Sequence, residues 1–227
     1  MQKEIGGEIV FFYHDSDHDP RETVTILRDL HNGEERRLNF TFANQLQKNF
    51  SPLFAKRVLA ESKRKLAAQL AQCIDSRLIE YFNAIEAENV ADFCLEMYRR
   101  MNLLEGMRVL RSGDRSFRER ACAIDDYFVD VRYEDELVRA RVAQDALLLH
   151  KGGNNYIRLP NESYTTAQIS PTRDTRLRWM QSVIQCTHYV AGAGELQYLN
   201  KDDAPGVTFV TRDFIQESDR AYVPEQS

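Results

Sequence analysis

The run Glu8-Ile-Val-Phe-Phe-Tyr13 passes at once into His14-Asp-Ser-Asp-His-Asp19. Apolar and aromatic β-formers in succession read as one buried strand. The six residues that follow include two histidines and three aspartates. A parallel strand that empties into such a loop sets it at the C-terminal edge of a sheet, where open α/β folds bind ligands. Burying that many charges unpaired is expensive, and a solvated turn needs only one or two of these residue types. The concentration therefore points to function ahead of packing.

The remaining pattern alternates between classes. Thr23–Leu27 reads as a strand and His31-Asn-Gly33 as a turn, with Leu38, Phe40 and Phe42 alternating beyond it. This predicts a hairpin beside the first strand, within a first segment 1–50. Ser51-Pro52 signals a helix start. Leu59, Leu66, Leu70, Ile74, Leu78 and Phe82 then predict one long amphipathic helix, with Lys56, Arg57, Lys63, Arg64 and Lys65 on its outer face. A second helix, Asn89 to Leu104, stops at Gly106. The pair makes a helical hairpin arm over 51–106.

Over 107–165 the pattern is β-rich. Arg108–Arg111, Tyr127–Val131, Leu137–Val142, Ala146–His150 and Tyr156–Leu159 read as strands, and Lys151-Gly-Gly-Asn-Asn155 as a hairpin turn. Residues 166–227 return to α/β order. Ser170-Pro171 predicts a helix through Leu177, Trp179, Met180 and Val183, then His188–Ala191 a strand, Gly192-Ala-Gly194 a turn and Glu195–Tyr198 a helix start. Pro205–Val210 offers one more strand before a frayed, polar tail.

Charge and cysteine usage bound the class. The net charge of -5, with both signs mixed along the chain, argues against a nucleic-acid surface. Four cysteines without paired spacing predict reduced thiols rather than a disulfide framework or a zinc site. No apolar run approaches membrane-spanning length and no signal peptide is evident, so the expectation is a soluble, cytoplasmic protein without membrane partners.

Three groups of residues are candidates for chemistry. His14, Asp15, Asp17, His18 and Asp19 supply general acids and bases, or ligands for a divalent metal as in nucleotide-sugar transferases and phosphohydrolases. Gly192 and Gly194 let a ligand approach the backbone, and the helix after them offers N–H groups to an anion, with Glu195 complementing its dipole. Arg173, Arg176 and Arg178 match carboxylate or phosphate geometry, and one of them is a candidate substrate clamp.

Taken in order, Ile9–Tyr13 with Asp17-His18-Asp19 and Glu22, then Ser170-Pro171 with Arg176, then Tyr189-Val-Ala-Gly192-Ala-Gly-Glu195-Leu-Gln-Tyr198, resemble the bacterial cysteine-adding enzymes (cysteine ligases) of bacillithiol biosynthesis. Ser16 stands where that family has a glutamate, Ala193 replaces a proline, and Cys186 stands where a proline is usual. The resemblance implies an α/β, Rossmann-like, nucleotidyltransferase-like core with a nucleotide-sized cleft, carrying the helical arm and the β-rich excursion. The implied reaction attaches the carboxylate of cysteine to the amine of a glucosaminyl-malate after activation by ATP, with no metal assigned. Asp17 and His18 would face the reacting phosphate or amine, and Asp19 would orient His18 or take a proton. His14, Arg176, Tyr189, Gly192, Gly194, Glu195 and Tyr198 would hold the small-molecule substrate, Arg176 by its carboxylate. The family's upstream glycine-rich phosphate loop has no counterpart here, and the chain is shorter than the family's members. The expectations are a reduced relative, a piece of a longer protein, or a chain whose partner supplies that loop. A non-catalytic assembly module that dimerises through the helical arm is the remaining alternative.

Overall fold

A computed structural model describes residues 5–144 and 146–212, and these divide into two units. The first holds the described chain to Arg111 together with Glu134–Val138; the second holds Ser112–Tyr133 and the chain from Arg139.

In the first unit, strand β1 (Ile9–Tyr13) pairs in parallel with β4 (Met107–Arg111), from Ile9 opposite Met107 to Tyr13 opposite Arg111. The two strands therefore end level, and the His14–Asp19 loop leaves beside Arg111. Strands β2 (Val24–Arg28) and β3 (Glu35–Asn39) form an antiparallel hairpin. Its turn closes through Gly33, at φ +73°, whose N–H donates to the Asp29 carbonyl. The hairpin makes its own two-stranded sheet and is not hydrogen-bonded to β1 as expected.

Asn44 caps helix α1 (Gln45–Phe50), its side chain accepting from the Gln47 N–H at 2.8 Å. The long helix expected from residue 51 is instead three pieces: a 3-10 turn at Leu53–Ala55, α2 (Ala60–Leu70) and α3 (Ser76–Ala84). The break falls where the Asp75 carboxylate accepts from the Arg77 N–H and starts a new helix. Nor is there a projecting arm. Leu66, Leu70, Ile74, Leu78 and Phe82 are buried in one core cluster with Leu27 and Leu38 of the hairpin and with Phe93 of α4 (Val90–Arg100). Phe40, Phe82 and Phe93 pack ring to ring there, with centroids 4.8 to 6.3 Å apart.

In the second unit, α5 (Arg115–Arg120) precedes strands β5 (Tyr127–Tyr133), β6 (Glu136–Ala143), β7 (Ala146–Gly152) and β8 (Asn155–Leu159). With β9 (Ile169–Pro171) these strands form an antiparallel sheet in the order β8-β7-β6-β5-β9, although the opening residues of β6 group with the first unit. Ser170-Pro171 thus ends in a strand paired with Tyr127 and Phe128, not in a helix start. Helix α6 (Arg176–Ile184) begins after it. Strand β10 (His188–Ala191) pairs in parallel with β11 (Thr208–Thr211), and the single turn α7 (Ala193–Leu196) lies between them in sequence. Phe117 and Trp179, each 1% exposed, pack with ring centroids 5.0 Å apart.

The Rossmann-like core is therefore corrected. The described strands make one five-stranded antiparallel sheet and three separate two-stranded sheets, of which only β1–β4 and β10–β11 are parallel. The cause is connection length. A parallel neighbour needs a crossover of roughly a dozen residues or more, whereas β5 and β6 are joined by Glu134 and Asp135, both at positive φ, and β7 and β8 by a turn through Gly152 and Gly153. Such turns return the chain antiparallel. The tail expected to fray lies outside the described residues.

Candidate functional site

The loop after β1 is built by its own carboxylates. Asp17 Oδ1 accepts the N–H groups of His18 at 2.6 Å and Asp19 at 3.0 Å. Asp19 caps the short turn Pro20–Thr23 and grips the Arg21 guanidinium with both oxygens. The Arg21 hydrogen bond, foremost, holds the Asp19 carboxyl below its usual range. Asp15 is fully buried and accepts from Arg111 Nε at 2.6 Å, while Arg111 Nη1 reaches Asp92 at 2.6 Å. The His14 ring lies against Phe12, and His18 is half-buried.

Beneath this loop lies a residue that charge patterning assigns to the surface. Lys56 is 0% exposed, and its ammonium donates to the carbonyls of His18 (3.3 Å), Gln47 (3.2 Å) and Lys48 (2.6 Å), over the Phe42 ring. Burial pulls it down to about 8, against the opposing charges of Asp17 and Asp19. Two further backbone bonds, Leu53 N–H to the Asp17 carbonyl and Phe54 N–H to that of Asp15, fasten the same segment to the loop. The local signal for this arrangement is Lys56 itself, set directly after the apolar Pro52–Ala55. A cleft of about 650 Å³ opens beside Arg111 and Asp92, lined also by Glu86, Glu88 and Arg99.

In the second unit, four of the residues singled out by the sequence come together. Arg176, at the start of α6, donates from Nη2 to Glu195 Oε1 at 2.8 Å and to the Tyr198 hydroxyl at 3.1 Å. The Tyr189 hydroxyl of β10 donates to the same Glu195 oxygen at 2.9 Å. Burial, with the Glu195 charge behind it, pushes the Tyr189 phenol far up. Arg173 covers the Tyr198 ring, 5.1 Å from its centroid. Arg178 is turned to Asp125 instead. Gly192 and Gly194 flank this cluster in sequence; an added methyl at Gly192 would meet only Arg212, and one at Gly194 nothing within 4 Å. Arg176 and Glu195 are candidates from the residues themselves, and the resemblance adds Tyr189 and Tyr198 to them.

The arrangement offers a guanidinium and two phenols for an anionic group, and in the first unit a half-buried imidazole at the end of a pinned loop. It offers no grouping of three His, Cys, Asp or Glu side chains fit for a metal ion among the described residues. Nor do these two loops form a phosphate cradle: Asp17 already takes the His18 and Asp19 N–H groups, and α7 is only four residues long. All four cysteines are free thiols. No helix among the described residues is long and apolar enough to cross a membrane. Comparison with protein-family models and with curated proteins finds no match to the chain.

Proposed function

We propose that the chain is a ligase-like enzyme related to the cysteine-adding enzymes of bacillithiol biosynthesis, and that Arg176 takes the carboxylate of its substrate. The supporting observation is the cluster of Arg176, Tyr189, Glu195 and Tyr198. Residues drawn together only by the resemblance also share hydrogen bonds on one guanidinium and one carboxylate. Arginine with flanking phenols recognises a planar carboxylate by paired donors.

For the first unit taken by itself, the resemblance gives His18 the stabilisation of developing charge, with Asp17 and Asp19 holding its loop in shape. ATP belongs to the reading through the resemblance alone, and no step is derived through it. Incubation with ATP, L-cysteine and glucosaminyl-malate should yield the amide conjugate by mass spectrometry. His18→Ala should lower its formation by roughly a hundredfold or more with folding intact. Formation unchanged in that variant removes His18 from the mechanism, and no conjugate from the wild-type chain removes the ligase reading.

A further inference from the structure

Arg176 carries two kinds of donor on its Nε–Nη2 edge, and only one is satisfied. Nη2 is bound to Glu195 and Tyr198, whereas Nε is buried without a hydrogen-bond partner among the described residues. A buried N–H left unmet costs free energy and marks a place where an acceptor belongs. Glu195 does not fill it, because its Oε1 takes both the Arg176 and the Tyr189 bonds. The pairing is thus one-pronged, while the Nε–Nη2 edge has the spacing of a two-oxygen anion. Glu195 is also only partly covered, 28% exposed, and sits on a single turn between Gly194 and the Tyr198 end. A Cβ added at Gly194 would meet nothing within 4 Å.

We infer that Glu195 is an internal stand-in for the substrate's carboxylate, which displaces it to bind Arg176 through Nε and Nη2 together. This rests on the carboxylate reading proposed above and adds the residue that tunes it. While Glu195 occupies Nη2, an incoming anion must compete with a charge that is tethered beside it. The seat therefore selects ligands whose carboxylate makes both bonds and discriminates against those that make one. Tyr189 then keeps the displaced Glu195 through its hydroxyl, and Tyr198, whose hydroxyl oxygen accepts from Nη2, has its own O–H to turn to the bound anion.

The test is titration calorimetry on the full chain with L-malate, L-cysteine and inorganic phosphate as separate probes. Wild type, Glu195→Gln, Glu195→Ala and each of these combined with Arg176→Met are compared. Emission of Trp179, the sole tryptophan and a member of α6, reports that each variant is folded. Removing the competing charge should tighten carboxylate binding by about tenfold or more, and Arg176→Met should abolish the gain. Equal affinities in wild type and both Glu195 variants overturn the stand-in while leaving the carboxylate reading in place. A gain confined to phosphate overturns the carboxylate class. Absence of carboxylate binding in every folded variant overturns both the inference and the reading beneath it.

Discussion

Arg111 and Asp15 join the ends of two parallel strands: the Arg111 Nε meets Asp15 Oδ2 at 2.6 Å, and the carboxylate is fully buried. The pair exists because the β1–β4 register brings Tyr13 and Arg111 opposite each other, leaving Asp15 two residues into the loop.

Removing the guanidinium takes from that buried charge its ion pair with Arg111. Arg111→Leu should therefore destabilise the chain by about 3 kcal/mol. Adding Asp15→Asn to it should recover part of the loss, because the charge is then gone as well. Urea unfolding midpoints of the two single variants and the double variant decide it. A double variant no more stable than Arg111→Leu alone would mean the carboxylate's other contacts carry the site.

Lys56 makes a prediction in pH. Burial lowers it from its usual 10.5 to about 8, so between those values the unfolded chain binds the proton more readily than the folded one. More protons on the unfolded side means that stability rises with pH across this window. Below about pH 8 the cost of the buried charge is in full force. The wild type should gain up to about 3 kcal/mol relative to Lys56→Met between pH 8 and 10.5. Urea unfolding of both proteins at several pH values measures the difference directly; a flat difference would refute the assignment. Lys56→Met should also be less stable than wild type at the top of that window, since the neutral amine can still donate to two of the main-chain carbonyls around it and methionine to none.

Asp130 pairs with Arg118 at 2.5 Å, with both side chains under 5% exposed. Asp130→Ala should cost about 3 kcal/mol, because the buried guanidinium loses the Asp130 carboxylate. Trp179 packs on Phe117, next to Arg118 in sequence, so its emission should follow the thermal transition of this variant to lower temperature. A transition temperature matching the wild type would contradict the role given to the pair.

Asp75→Ala removes the carboxylate that accepts from the Arg77 N–H at the start of α3. The expected loss is about 1 kcal/mol. Asp75→Asn, which can still accept that bond, should retain most of the stability, and chemical denaturation of the two variants separates a capping role from a charge effect.

The Asp75 cap also explains what the sequence concealed. Leu66, Leu70, Ile74, Leu78 and Phe82 do share one buried face. Their four-residue spacing persists across the break because the turn at residues 71–75 directs both helices into the same core. Periodicity alone cannot separate one long helix from two that return to a common interior, and the short Asp-Ser cap was the only local clue. Ser170-Pro171 misled for a related reason. Proline after a hydroxyl residue is a good helix opening, but here the Ser170 hydroxyl accepts from the buried Arg139 and Pro171 ends an edge strand. The strands of residues 127–159 were legible because their turns carry glycine or polar residues at short spacing. Lys56 was not, since the apolar Pro52–Ala55 before it hints at burial without naming its partners, which are main-chain carbonyls of His18, Gln47 and Lys48. Arg176, Tyr189, Glu195 and Tyr198 were grouped by the resemblance and share hydrogen bonds, whereas Arg111 became visible only once β4 lay beside β1.

That same β1–β4 ladder has a consequence for how the polypeptide is made. Its first strand ends at Tyr13 and its partner begins at Met107, so everything between must emerge before the two can meet. Closing so long a segment is entropically slow, and ladders of this kind form late. During translation the Ile-Val-Phe-Phe-Tyr segment must therefore wait with its edge open, a sticky, aggregation-prone stretch until residues 107–111 leave the ribosome.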